Sequence, residues 1–234
     1  MTKSDVLEYL KAHKDARGMA HWKALGEKTG GLRGYGLGLT TLRRFAKTIG
    51  RDPILAKKLW ASAIYEMKII ALLIDDPKSI TIKQAETQVE QLQGGHLAHV
   101  FSSCDATLAK TPFVIELADT WTKSKDPVRR RCGYGLLYEI SKSKKKTAPD
   151  EAYFLAHIAH IDKTYPSQSI DGLMAMGSAL MGIGKRTKKL NAAALKVAKK
   201  IGPIDFDPDG NCEPTDIAKH LTSDYLKKKL GIRV

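Results

Sequence analysis

The sequence predicts an all-α protein of stacked helical hairpins, on three observations. Apolar residues recur at helical spacing along the chain, and no sustained apolar–polar alternation marks a strand. Asp52-Pro53, Asp76-Pro77 and Asp126-Pro127 each stand where one periodic segment stops and the next begins. Aspartate there accepts from the free amides of a first helical turn, and proline at the first helical position forfeits no hydrogen bond. The segments are short and closely joined. HEAT-type repeats are ~40–47 residues long, so a chain of 234 residues holds about five. Such an array presents a concave face lined by alternate helices; an irregular helix bundle is the alternative the same pattern allows.

In order along the chain, Ser4 to Leu25 reads as one helix, with Val6, Leu7 and Leu10 on one face and Trp22 and Leu25 following. Gly30 to Leu39 is a glycine-rich stretch without the Gly-Lys-Ser/Thr ending of a phosphate-binding loop, and no strand precedes it. It is read as a flexible connection in which Arg33 and Tyr35 are candidate ligand contacts. Thr40 or Thr41 caps a helix carrying Leu42, Phe45, Ala46 and Ile49, which Gly50 ends. Asp52-Pro53 opens the next, with Leu55, Leu59 and Trp60 inward, and Met67, Ile70, Ala71 and Ile74 mark another. Helices are then expected over Ile82 to Leu92, over Leu97 to Ala109 and from Pro112 to near Trp121. Beyond the helix that starts at Pro127, further helices run over Asp150 to Ile161, Ile170 to Ile183 and Leu190 to Ile201. A turn-rich Gly202 to Pro214 leads into a last helix ending near Leu230. The whole is expected to form one domain, 1–234.

Composition narrows the function. Lysine and arginine number 39 against 25 acidic residues, a net charge of +14. That excess favours a polyanionic partner, nucleic acid first. No apolar run approaches the length of a membrane span, and the N-terminal stretch lacks the apolar segment of a signal peptide. A cytoplasmic, DNA-associated location and no membrane partner are therefore expected. Cys104, Cys132 and Cys212 are far apart and form no CxxC pair, which argues against a disulfide framework or a cysteine-based zinc site. Cys104 and Cys132, among apolar neighbours, read as core thiols.

The segment from Ser124 to Leu137 carries the strongest local signal. Asp126 and Pro127 start a helix whose first turn then holds Arg129, Arg130 and Arg131. Cations are disfavoured at the positive end of the helix dipole. Amides and guanidinium groups pointing one way make a phosphate receptor. Gly133 and Gly135 each cost a helix roughly 1 kcal/mol relative to alanine, which implies that something packs closely there.

Several stretches, in their order and spacing from about Leu39 to Leu195, resemble the DNA alkylation repair family of AlkD-like, HEAT-like-repeat glycosylases. They are Thr41-Leu42-Arg43-Arg44-Phe45-Ala46-Lys47, Leu59-Trp60-Ala61, Ile74-Asp75-Asp76-Pro77, Cys104-Asp105, Lys110-Thr111-Pro112-Phe113 and Ile183-Gly184-Lys185-Arg186. The resemblance implies a right-handed α-α superhelix (an α-solenoid) holding duplex DNA on a basic concave surface. It further implies a monofunctional glycosylase that removes N3- and N7-alkylated purines, such as N3-methyladenine and N7-methylguanine, without a cofactor or metal and as a monomer.

Carried over position by position, the resemblance makes Asp105 the catalytic aspartate and Arg131 its companion arginine. Arg129, Arg130, Lys185 and Arg186 become DNA-backbone contacts. Phe101 stands where the family has a tryptophan four residues before the aspartate and could still stack on sugar or base. Ser178 stands where a second tryptophan is expected and cannot. An alkylated purine is already a cation and a good leaving group. The sugar becomes oxocarbenium-like as the bond lengthens, and a carboxylate beside it stabilises that charge and orients water.

Two other readings compete. The same basic face could bind damaged or branched DNA without cutting a bond, since a helical scaffold alone does not establish function. His96/His99 and His157/His160 share helix faces at i, i+3, yet no HExxH is present and no carboxylate is placed to complete a metal site.

Overall fold

The structure, a computed structural model, describes residues 1–207, 210 and 212–232. Among these there is no β-strand, only isolated bridges between Arg33 and Ile64 and between Ile204 and Thr215. The all-α expectation holds. The chain divides into two compact units, Met1–Val114 and Ile115–Val234.

The first unit opens with α1 (Lys3–Ala12), capped by Thr2 and Asp5 in a reciprocal capping box, with Val6 and Leu10 fully buried. The single helix expected from Ser4 to Leu25 is broken. The chain leaves the helix at His13, and Asp15 starts α2 (Ala16–Ala24) by accepting from Gly18 N at 2.6 Å. A long-range bond fixes the break, because Asp15 N donates to Tyr35 O at 3.0 Å.

The glycine-rich stretch is anchored rather than a free connection. Arg33 exchanges backbone bonds with Ala63 and Tyr65, both at 2.9 Å. Glu66 Oε1 accepts the amides of Tyr35 and Gly36 at 2.8 Å and of Leu37 at 3.3 Å. Gly36, at φ 80°, lies against the backbone of Asp15 and Met19, an approach no side chain would permit.

Next come α3 (Leu39–Ile49), α4 (Pro53–Trp60) and α5 (Tyr65–Ile74). The first begins at Gly38, so Thr40 and Thr41 lie inside its opening turn rather than capping it. Asp52 caps α4 through Leu55 N at 2.8 Å with Pro53 in the first turn, as its sequence predicts. Both α3 and α4 pack on α5, whose Met67, Ile69, Ile70 and Ile74 are almost entirely buried. Two further α-helices follow in the unit, α6 (Ile82–Val89) and α7 (Leu97–Ser102).

The second unit contains α8 (Val114–Trp121), α9 (Pro127–Lys142), α10 (Glu151–Thr164), α11 (Ile170–Gly184), α12 (Lys188–Ile201), α13 (Ile217–Leu221) and α14 (Asp224–Leu230). Trp121, Tyr134 and Phe154 are fully buried. Close contact explains Gly133: a Cβ there would lie 2.5 Å from Thr122 N and 2.8 Å from Trp121 C, both backbone atoms. The last helix is split into α13 and α14. Asn191 Nδ2 donates to Leu221 O and to Gly184 O, each at 3.1 Å, so the end carbonyl of α13 is held by α12. Ile204 and Thr215 exchange two backbone bonds across the turn-rich 202–214 stretch, of which Pro208, Asp209 and Asn211 lie outside the described residues.

Candidate nucleic-acid interface

Asp105 is not on a helix. The helix expected over Leu97 to Ala109 stops at Ser102, and Cys104 and Asp105 follow with φ of 57° and 68°. Two contacts impose this turn. Ser103 Oγ donates to His99 O at 2.6 Å, which holds the end of α7. Thr107 then ties the chain to α5, its N and Oγ1 both donating to Leu72 O at 3.1 Å. Left-handed backbone costs a residue with a side chain roughly 1–2 kcal/mol. Aspartate tolerates it better than cysteine does.

The turn presents Asp105 to solvent, with 71% of its side chain exposed, and aims it at α3. Arg43 Nε lies 3.5 Å from Asp105 Oδ2, an ion-pair distance that lacks hydrogen-bond geometry, and that buried nitrogen has no hydrogen-bond partner. Lys110 Nζ donates to the Asp105 carbonyl at 3.2 Å. These groups wall a cavity of about 440 Å³ together with Ala46, Lys47, Gly50, Arg51 and Leu73. Its ionic lining is four cations against the one carboxylate of Asp105. Arg51 is already engaged, donating to Leu73 O at 2.8 Å and Asp75 O at 3.0 Å at the end of α5. A cavity of this sign attracts a phosphate while placing one carboxylate beside it.

Sequence reasoning did not single out Arg43, Lys47, Arg51 or Lys110 as site residues. The available signal was the i, i+4 spacing of Arg43 and Lys47 on α3.

Phe101 requires a correction. It is fully buried on α7, part of the core of the first unit. A ring that stacks on a base or sugar needs an open face, and Phe101 offers none. Cys104 is also displaced from its expected place in the core. It is half-buried, and its Sγ lies 3.0 Å from His99 Nε2. Cys132 is buried as expected.

In the second unit the arginine-bearing start of α9 forms as its sequence predicts, Asp126 accepting from Arg129 N at 2.6 Å. The three guanidinium groups differ in their surroundings. Arg131 pairs with Asp171 at 3.0 Å, on the first turn of α11. Arg130 donates through Nε to Gln168 at 2.9 Å and through Nη1 to the carbonyls of Ser124 at 2.8 Å and Lys125 at 3.0 Å. These bonds tie the start of α9 to the α8–α9 turn and to Gln168 just ahead of α11. Arg129 is half-buried.

Arg186 likewise caps protein carbonyls, donating to Ser141 O at 2.6 Å and Ser143 O at 2.9 Å beyond the end of α9 and stacking on Phe154 at 4.6 Å. Lys185 is exposed. Ser178 is half-buried and back-bonds to Met174 O at 3.0 Å, so no aromatic ring stands at that position.

The paired histidines take different roles. His157 is buried and bonds through Nε2 to Asp119 at 2.9 Å. Burial holds its pKa below the ordinary imidazole value, against the opposing pull of Asp119. His96 and His99 are exposed. Among the described residues no group of three or more His, Cys, Asp or Glu is placed to hold a metal ion.

A solved structure with TM-score 0.82 and 19% identity covers 100% of this chain and 99% of its own. It represents "a new family of proteins related to the HEAT-like repeat DNA glycosylases with affinity for branched DNA structures". At that identity the likeness establishes the fold, which is that of the HEAT-like repeat proteins. No curated protein is matched. The family model described as "DNA alkylation repair enzyme" matches residues 6–203, most of the length. The chain belongs to the DNA alkylation repair enzyme family.

Proposed function

We propose that the protein is a DNA glycosylase that hydrolyses the N-glycosidic bond of cationic alkylated purines in duplex DNA. The observation that carries this reading is Asp105, an exposed carboxylate presented by a left-handed turn at the wall of a cationic cavity. Arg43 and Lys110 would take the backbone phosphates that flank the lesion, a contact that fixes register without reading sequence. The carboxylate would then face the sugar whose bond breaks. As the alkylated base departs with the bonding electron pair, positive charge develops on the sugar, and Asp105 stabilises it and orients the attacking water. In the second unit Arg131, paired with an Asp171 that is 67% exposed, would exchange that partner for a phosphate, with Lys185 as a further backbone contact.

One observation favours the second reading, a DNA-binding protein that cuts no bond. Phe101 is buried and Ser178 has no ring, so neither position supplies an aromatic face to a base or sugar. The related protein's affinity for branched DNA accords with that alternative. Release of free 7-methylguanine from a duplex carrying one such base separates the two. Release above the spontaneous rate supports the glycosylase. Tight, salt-sensitive binding with no release establishes the binder and sinks the catalytic proposal.

A further inference from the structure

The first unit contains a second and larger cavity, about 1000 Å³, whose lining shares no residue with that around Asp105. Its walls include Lys14, Arg17, Trp22, Tyr65, Glu66 and His99. Three features of these walls have no role in the glycosylase reading.

The first is Glu66. Its residue exposure is 1%, yet it is a carboxylate on a cavity wall. Oε1 accepts the three loop amides of Tyr35, Gly36 and Leu37, which accounts for one oxygen. Oε2 is buried and has no hydrogen-bond partner. A carboxylate that served only to fasten the loop would leave its second oxygen desolvated for nothing, and an unmade bond of this kind is the costly case. Burial pushes the Glu66 carboxyl up, the direction expected of a group short of donors.

The second feature is a fixed aromatic wall. Trp22 is half-exposed and lies on Tyr65 with ring centroids 4.3 Å apart at 33°. Its Nε1 donates to Leu32 O at 3.1 Å, and the backbone closes against the ring at Gly34 and Gly95, where a Cβ would lie 2.8 Å from indole carbons. The ring orientation is therefore set before any ligand arrives. The third is a pair of cations. Lys14 and Arg17 flank the same cavity from the α1–α2 turn and the start of α2, both exposed and in no ion pair among the described residues.

A flat wall, a desolvated acceptor and two free cations match the base face, the base edge and the phosphate of one nucleotide. We infer that this cavity binds a single nucleotide through an unpaired base, the ring lying against Trp22 and Tyr65, the phosphate meeting Lys14 and Arg17, and a base N–H donating to Glu66 Oε2, which is covered in the free protein and must be uncovered as the ligand seats. In a paired duplex the Watson–Crick donors are already used, so the occupant is either a free nucleotide or one extruded from a strand. This inference does not rest on the glycosylase reading, and Asp105→Asn is expected to leave it unaffected.

The test follows the indole N–H resonance of Trp22 in the full chain, assigned with Trp22→Phe. The probes are dGMP, 2-deoxyribose 5-phosphate, a duplex with one bulged guanine and the same duplex fully paired. The expected result is a saturable shift with dGMP and with the bulged duplex, and none with the sugar phosphate or the paired duplex. A shift with the bulged duplex alone identifies the occupant as a nucleotide within a strand. Charge reversal of the exposed Lys14 and Arg17 to glutamate, which spares the core, should weaken dGMP or bulge binding by about tenfold or more. No shift from any nucleotide probe overturns the inference, as does an equal shift from the sugar phosphate or full affinity after charge reversal.

Discussion

The turn at Cys104 and Asp105 holds two residues in a strained conformation and presents one exposed carboxylate. Both residues hold left-handed backbone, which glycine adopts freely and cysteine does not. Cys104→Gly is expected to stabilise the fold by about 0.5–1 kcal/mol, strain relief outweighing the extra freedom of the unfolded chain. Urea denaturation of the two proteins measures it, and an equal loss of stability would show that the Cys104–His99 contact matters more. His157 gives a pH signature. Its folded pKa is depressed by burial, so the unfolded chain takes up the proton first as pH falls below about 6.5. Stability contributed by neutral His157 is thus complete above that value and declines through the window down to the depressed folded pKa. His157→Gln should flatten the fall in urea midpoint between about pH 7 and pH 5.5. An unchanged slope would place the sensitivity elsewhere.

At the level of helices, what could be read in advance depended on how local the determining contact is. The starts of α4 and α9 were legible because Asp52-Pro53 and Asp126-Pro127 carry their caps within the sequence itself. Gly133 was legible as a close-packing site, and the backbone of Trp121 and Thr122 is what it meets. Gly133→Ala is accordingly expected to destabilise the protein by about 1–3 kcal/mol despite alanine's better helix propensity. A thermal midpoint at or above that of the wild type would contradict the contact. The breaks were not legible. The stop between α1 and α2 depends on Tyr35, the end of α7 on Leu72, and the split of α13 from α14 on Asn191, all distant in sequence. Apolar character at Phe101 fitted a ring facing a ligand and a ring in the core equally well; only packing decided for the core. Nor was it legible that Arg130 and Arg186 each cap protein carbonyls, because the carbonyls they meet are fixed by the folded chain.

For the whole molecule, the net charge of +14 suits a polyanion partner, and the family match places the chain in the DNA alkylation repair enzyme family. DNA affinity should therefore fall steeply with salt, log K declining against log salt by about 0.9 per phosphate neutralised. A flat dependence would mean that the cations serve solubility alone. The most direct test of the account is single-turnover release of 7-methylguanine from duplex DNA by the wild type and by Asp105→Asn, with duplex affinity measured alongside. Loss of the carboxylate should slow release by about 10²-fold or more while affinity stays within roughly threefold, because the group acts on charge that develops only in the transition state. An unchanged release rate in Asp105→Asn would contradict the catalytic role assigned to this residue.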